Sequence, residues 1–334
     1  MRRMLVLLVL AIAFGCAVWA FRDPDVITTT LSRLSPTVAF MLLALLGANE
    51  LIKGLRWAWY LRAARLPIRL FDGLTSYLAA QAASAVPGGA LLSARLAEEH
   101  GDGQVRLRHT TPPLLAQGLG DLIAVSLVAA TGIALTAQSS LQFTVPVGGV
   151  LVAVLAVAAI RSERIASALT QALGKRRLTR RIVPAEEDAR RTLLLLCRPH
   201  ALGPGIAASI FSSLIAVAIL LLLADAMTLR GLGPHEALYV HGMTMLAHLL
   251  LPIPNGFGTS ELSLVGLLNV VGIGFARATA IAVTYRALGL GFRTMVGLLI
   301  LVLRYHHLLV ELRRRPVTAP ASAPALDFAV EGQD

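Results

Sequence analysis

The sequence predicts an all-α polytopic membrane protein, with about six spanning helices and two oppositely oriented re-entrant helical hairpins. Three observations carry this. The 334 residues are 56% hydrophobic and only 15% charged, with a mean hydropathy of +0.72, whereas a soluble domain carries roughly a quarter charged residues. The apolar residues fall in long runs, several near the ~20 residues that span a bilayer. Two of those runs are broken by proline and glycine, at VPGGA (86–90) and at LLPIPNGFGTSEL (250–262). Unpaired backbone at membrane depth is costly, so a break there must be buried in protein or line a cavity.

The runs in order are Met4–Phe21, Val38–Leu55, Pro113–Leu135, Val145–Ile160, Ile206–Ala224, Leu246–Ile253 onward and Ala278–Leu303. Arg2 and Arg3 precede the first, and Val18-Trp19-Ala20 has the look of a cleavage site. Its apolar stretch is longer than a usual signal core, so it is taken as the first anchor helix. The second span is expected to start near Pro36, where proline suits a first helical turn. Glu50 and Lys53, three residues apart, are positioned to pair on one helical face. Arg56-Trp57 follows where a basic–aromatic boundary belongs.

A net charge of +11 does not point to nucleic acid, because the basic residues lie in loops beside the spans. That is the positive-inside pattern, and anionic lipid headgroups are the expected partner. Residues 161–200 hold ten Lys/Arg against four Asp/Glu and read as a cytoplasmic loop. Within it, ALTQALGKRRLTRRIV has two readings, an interfacial amphipathic helix or a solvated loop. The only cysteines, Cys16 and Cys197, define no disulfide framework or metal site.

Parity of the basic loops sets the topology. Residues 62–71 and 100–110 both belong inside, so the segment 73–98 between them enters and leaves on one face. Its arms are too short to span and suit half-helices, which makes VPGGA the tip of a hairpin. The basic tail Arg304–Arg315 is also placed inside. This leaves 237–273 as a second hairpin from the outside, broken at PIPNGFG, and 277–304 as one long final helix or, given Gly289 and Gly291, two shorter elements. Asp121 follows the first hairpin and Arg286 the second, each in an apolar helix. Two such units of opposite orientation form an inverted repeat, with a site near the midplane at their interface. Residues 1–315 are read as one integral membrane domain and 316–334 as a disordered cytoplasmic tail, both termini lying inside.

Taken together these landmarks resemble the flippase-like family named after the membrane region of lysylphosphatidylglycerol synthase. The matching residues, over about 36–310, are Arg56-Trp57, the break Pro87-Gly88 followed by Arg95, Gly120-Asp121-Leu122, the motif with Pro254, Gly256, Gly258 and Glu261, and the pair Tyr285-Arg286. Asn255, Ser260, Gln117 and Gly118 depart from the family's usual residues. Fused members carry a C-terminal domain that loads an amino acid from tRNA onto phosphatidylglycerol. The short tail here leaves no room for it, so the resemblance implies a stand-alone module that moves or binds a lipid. The resemblance also implies stand-alone relatives in hopanoid and glycolipid pathways, so the expected lipid is a phospholipid, a glycolipid or a hopanoid.

The substrate-binding candidates are therefore Pro87, Gly88, Arg95, Asp121, Pro254, Gly256, Gly258, Glu261, Tyr285 and Arg286. Several have a plainer reading. Glu261 is placed to pair with Arg286 or to meet a lipid headgroup, and it also suits the cap of a half-helix; Arg95 also suits an interfacial anchor and Asp121 an interhelical hydrogen bond. Guanidinium groups bind phosphate bidentately, which favours Arg95 and Arg286 for a lipid phosphate. His241 and His248 are seven apart but lack ligand-spaced partners, so pore-lining or packing is expected rather than metal. No nucleophile elbow, Walker sequence or His-Glu-x-x-His appears. No catalytic residues, metal or cofactor are expected. The expected function is lipid transport in the bacterial inner membrane without ATP. The alternatives are a scaffold or accessory subunit for a lipid-synthesising enzyme and, more weakly, an intramembrane lipid-modifying enzyme.

Overall fold

The computed structural model describes residues 35–83, 89–101, 105–136, 140–162, 186–228, 231–250 and 258–314. Among them are ten α-helices and no strand: α1 (Pro36–Ala63), α2 (Leu70–Ala80), α3 (Ala90–Glu99), α4 (Leu107–Thr136), α5 (Thr144–Arg161), α6 (Glu186–Leu196), α7 (Pro199–Met227), α8 (Pro234–Leu250), α9 (Thr259–Val270) and α10 (Phe275–Arg314). The first apolar run, most of the basic segment and the tail lie outside the described residues, as do Pro87, Gly88, Pro254 and Gly256.

Four helices, α1, α4, α7 and α10, are long and apolar enough to cross a membrane. The 145–160 run forms a shorter apolar helix over Thr144–Ala159, so the described residues hold four full-length candidates where about six spans are expected. Local chemistry explains several boundaries. Ser35 caps α1 by accepting from Val38 N at 3.3 Å, and Pro36 takes the first helical position, where its missing N–H costs nothing. The break at 250–258 is flanked by α8 and α9, and the break at 84–89 by α2 with a short 3₁₀ turn (Gln81–Ala83) and by α3. Residues 275–314 form one helix despite Gly289 and Gly291, with a kink at Tyr305 (φ −118°, ψ 21°).

The packing has an internal correspondence. Helices α1 and α7 pack on each other; α2 packs on α1 and α10, and α8 on α7 and α4; α3 packs on α2 and α4, and α9 on α8 and α10. Exchanging α1–α4 with α7–α10 maps this set of neighbours onto itself. Thus α2 and α8 each lie against the long helix of the other unit, while α5 and α6 pack mainly on α4. The largest apolar core joins Ile133 of α4, Val217 and Leu220 of α7, Tyr239 and Val240 of α8, Leu264 and Leu268 of α9 and Ile281 of α10. Exposed leucines, valines and phenylalanines such as Phe40, Leu151, Phe211 and Leu299 cover the outside, a surface suited to lipid rather than water.

Candidate functional site

The polar groups of this apolar bundle lie on matching helical faces. On α1, Asn49, Lys53, Arg56 and Tyr60 recur at steps of four, three and four, which places them on one side of the helix. The face is built against α7 and α4. Turned with its amide oxygen toward Lys53, Asn49 accepts from Nζ at 3.1 Å and donates to Ser212 Oγ at 2.6 Å. Lys53 Nζ lies 3.5 Å from Glu50 Oε1, the helical pair expected from spacing. Tyr60 is fully buried between Gly205 of α7 and Gly120 of α4, where a β-carbon on Gly120 would stand 2.9 Å from its hydroxyl. Only glycine leaves room for the ring.

Arg56 is the most enclosed charge of this face, its side chain 3% exposed. It meets Asp121 of α4 through both carboxylate oxygens, Nη2 donating to Oδ2 at 3.1 Å and Nη1 to Oδ1, and Nη1 also reaches Ser209 of α7. A planar, bidentate pair of this kind satisfies a guanidinium in low dielectric far better than a point contact. Asp121 is therefore the hydrogen-bonded partner of a buried arginine. Its side chain is nevertheless 31% exposed, so one side of the pair opens onto accessible space.

The second charged contact belongs to the other unit. Helix α9 starts at Gly258, whose φ of +83° suits glycine. Glu261 then acts in two ways at once. Its Oε2 accepts from the Gly258 N–H at 2.8 Å, satisfying a donor at the helix start. Its Oε1 lies 3.1 Å from Arg286 Nε of α10. The cap reading and the ion-pair reading of Glu261 thus hold together, one through each oxygen. Ser260 Oγ approaches His248 Nδ1 of α8 at 3.3 Å. Tyr285, beside Arg286, packs at the border of two apolar clusters.

Of the residues singled out from sequence, the structure joins Glu261 with Arg286 and places Gly258 at the start of the same helix. Asp121 goes to Arg56 instead. Arg95 stands apart: it is 61% exposed on α3 and pairs with Glu98 of its own helix. His241 is buried on α8, and no group of three His, Cys, Asp or Glu side chains gathers for a metal among the described residues. Sequence reading passed over two groups. Arg56 was placed at an interfacial boundary, although its register with Asn49 and Lys53 pointed inward. Arg293, seven residues after Arg286 and so on the same face of α10, was not singled out.

The bundle thus turns polar faces inward and joins its helices through two arginine–carboxylate pairs, Arg56–Asp121 and Arg286–Glu261. The family model for the lysylphosphatidylglycerol synthase TM region matches residues 6–297. The chain belongs to that family. It is an integral membrane protein of a family concerned with lipids, as the motif order in its sequence predicts. No curated protein and no solved structure matches it.

Proposed function

We propose that this protein is a flippase-like lipid transporter of the bacterial cytoplasmic membrane, with both termini inside and no ATP-driven step. The observation that carries this is the Glu261–Arg286 pair, 3.1 Å apart and both partly exposed. It ties the helix after the PIPNGFG break to a long apolar helix of the same unit. Ionisable groups at such depth are expensive and favour a functional role, and partial exposure implies that a polar group has access to them. The exchange symmetry of the packing supports two hairpins that enter from opposite faces, with a headgroup site between them. Acyl chains would remain in lipid while the headgroup crosses, and breaking and remaking the Glu261–Arg286 and Arg56–Asp121 pairs would let the two units open in turn. Such a module moves lipid without converting it, in company with separate enzymes that make the lipid.

Reconstitution tests this. Liposomes carrying headgroup-labelled phosphatidylglycerol, phosphatidylethanolamine or a glycolipid should show protein-dependent exposure of inner-leaflet label to a membrane-impermeant quencher. Glu261→Gln and Arg286→Ala should slow that exposure by about ten-fold, the loss of one desolvated charge contact. An unchanged lipid distribution with every lipid sinks transport and leaves a lipid-binding scaffold. A chemically altered lipid recovered from the vesicles turns the reading to an intramembrane enzyme.

A further inference from the structure

Within the polar interior, charges do not balance. Four cations, Lys53, Arg56, Arg286 and Arg293, face three carboxylates, Glu50, Asp121 and Glu261, and each carboxylate already has a partner: Lys53, Arg56 and Arg286 respectively. Arg293 is the surplus. Its Nε donates to Gly289 O of its own helix at 3.0 Å. Neither Nη group has a hydrogen-bond partner, and no carboxylate lies within 4.0 Å, among the described residues. The residue stands near the centre of the apolar span Phe275–His307, about two residues or 3 Å of helix rise from its midpoint. A charge there cannot snorkel to either interface as one near a helix end can.

Arg293 nevertheless faces inward. Its neighbour Phe292 approaches Gly47 of α1 and packs in the core shared by α1 and α7. Arg293 is close enough to Lys53 of α1, Tyr77 of α2, His248 of α8, and Tyr285 and Arg286 of its own helix to act on each electrostatically. The groups around it are thus two further cations, two phenols and an imidazole. A guanidinium whose Nη donors are unpartnered among the described residues, on a helix whose Leu288 and Phe292 pack with Ile52 of α1 beside Lys53, supplies together with that ammonium a donor set for an oxyanion.

We propose that Arg293 and Lys53 bind the phosphodiester of a lipid whose headgroup carries a net charge of −1, with Arg293 setting that charge preference. The inference rests on the headgroup site proposed above and names its ligand class. The count decides among headgroups. One uncompensated positive charge is neutralised by a phosphodiester with a neutral head alcohol. A zwitterionic headgroup brings its own cation and leaves the surplus in place. A headgroup with an added amine and a net positive charge increases it. Buried surplus charge is costly in low dielectric, so the anionic lipid is favoured over both.

Binding of dioctanoyl lipids to the purified full-length protein in a neutral detergent, followed by calorimetry, tests this without requiring transport. Wild type should bind phosphatidylglycerol at least about ten-fold tighter than phosphatidylcholine of the same chain length. Arg293→Gln should erase that difference, and Arg293→Lys should restore most of it. Both variants should keep the wild-type melting temperature, which separates lost binding from lost folding. Glycerophosphoglycerol, the same phosphodiester without acyl chains, distinguishes the sources. Failure to compete assigns the site to lipid, and full competition at equal concentration overturns the lipid assignment in favour of a soluble anion. Equal phosphatidylglycerol affinity in wild type and Arg293→Gln, or tighter binding of lysylphosphatidylglycerol than of phosphatidylglycerol by wild type, overturns the proposal. Charge-selective binding with no lipid movement in vesicles would remove the transporter reading and keep this one; lipid movement indifferent to Arg293 would do the reverse.

Discussion

Asp121 carries the charge that lets Arg56 sit inside the bundle. With the guanidinium side chain 3% exposed, removing the carboxylate leaves a buried cation held only by Ser209, a loss of about 3 kcal/mol; partial exposure of Asp121 keeps it at the low end for broken buried pairs. Asp121→Asn should therefore lower the melting temperature in detergent clearly, while Arg56→Met with Asp121→Leu should recover most of it, since an apolar pair of similar volume carries no desolvation cost. A double variant as unstable as the single one would mean that the pair is needed for more than mutual compensation. His100, at the end of α3 and outside the four long helices, offers a second handle. Its Nε2 lies 2.9 Å from the Tyr305 hydroxyl and its Nδ1 3.9 Å from Asp72, with Asp72 held by Arg304. Burial pushes its pKa below the ordinary 6.5, against the pull of Asp72 and Glu99 and with the help of Arg304 and His307. The unfolded chain then takes up the proton at higher pH than the folded one, so this stability is complete above about pH 6.5 and falls as the pH drops through it. Thermal melts between pH 7.5 and 5 should show a smaller acid-induced loss for His100→Gln than for wild type. Parallel profiles would remove His100 as a contributor.

At the scale of elements, α4 and α8 approach backbone to backbone, and glycine makes the contact. A β-carbon on Gly132 would stand 2.6 Å from Tyr239 Cα, and one on Gly242 2.6 Å from Ala129 Cα. Small residues that let backbones approach are the usual basis of helix association in lipid. Gly118, on the same α4, has nothing within 4 Å. The two positions should therefore respond with opposite sign. Gly132→Ala should force the helices apart and cost about 1–3 kcal/mol, whereas Gly118→Ala should gain about 0.5–1 kcal/mol from helix propensity. Unfolding in a denaturing detergent series measures both, and a stabilising Gly132→Ala would contradict the packing. The contrast also marks where sequence reading stops. Pro36 announced the start of α1, and the Pro-Gly breaks announced the interruptions between α2 and α3 and between α8 and α9, because a proline start and a break are local chemistry. Which face of a helix meets which neighbour is not local. Arg56 lies 65 residues from Asp121 and 153 from Ser209, and nothing in the intervening chain encodes that meeting. Glu261 and Arg286 were foreseen as partners because each already stood out as a charge in an apolar run. Arg293 stood out equally, and its seven-residue spacing from Arg286 was the signal that would have found it.

For the whole molecule, exchanging α1–α4 with α7–α10 preserves the helix neighbours, α2 and α8 each lying against the long helix of the other unit, and the opposite orientation expected from the positive loops is a separate question of sidedness. Hydropathy carried the all-helical, membrane-spanning class, because it is summed over many residues and survives local errors. It does not count spans where a helix such as α5 is short or an arm such as α8 has seventeen residues, since length alone does not separate a half-helix from a tilted span. Sidedness does. In a background with Cys16→Ser and Cys197→Ser, single cysteines at Leu66, Asp102 and Ser139 can be challenged with an impermeant maleimide in right-side-out and inverted vesicles. If α2 and α3 form a re-entrant hairpin, positions 66 and 102 react from the same face, the cytoplasmic one, and position 139 from the opposite face. Reaction of 66 and 102 from opposite faces makes α2–α3 a single broken span. It would reverse the second unit relative to the first, and with it the case for two hairpins meeting at one headgroup site. Labelling of 102 and 139 from one face would instead remove α4 as a span, even though its 28 residues from His109 to Thr136 are long and apolar enough to cross.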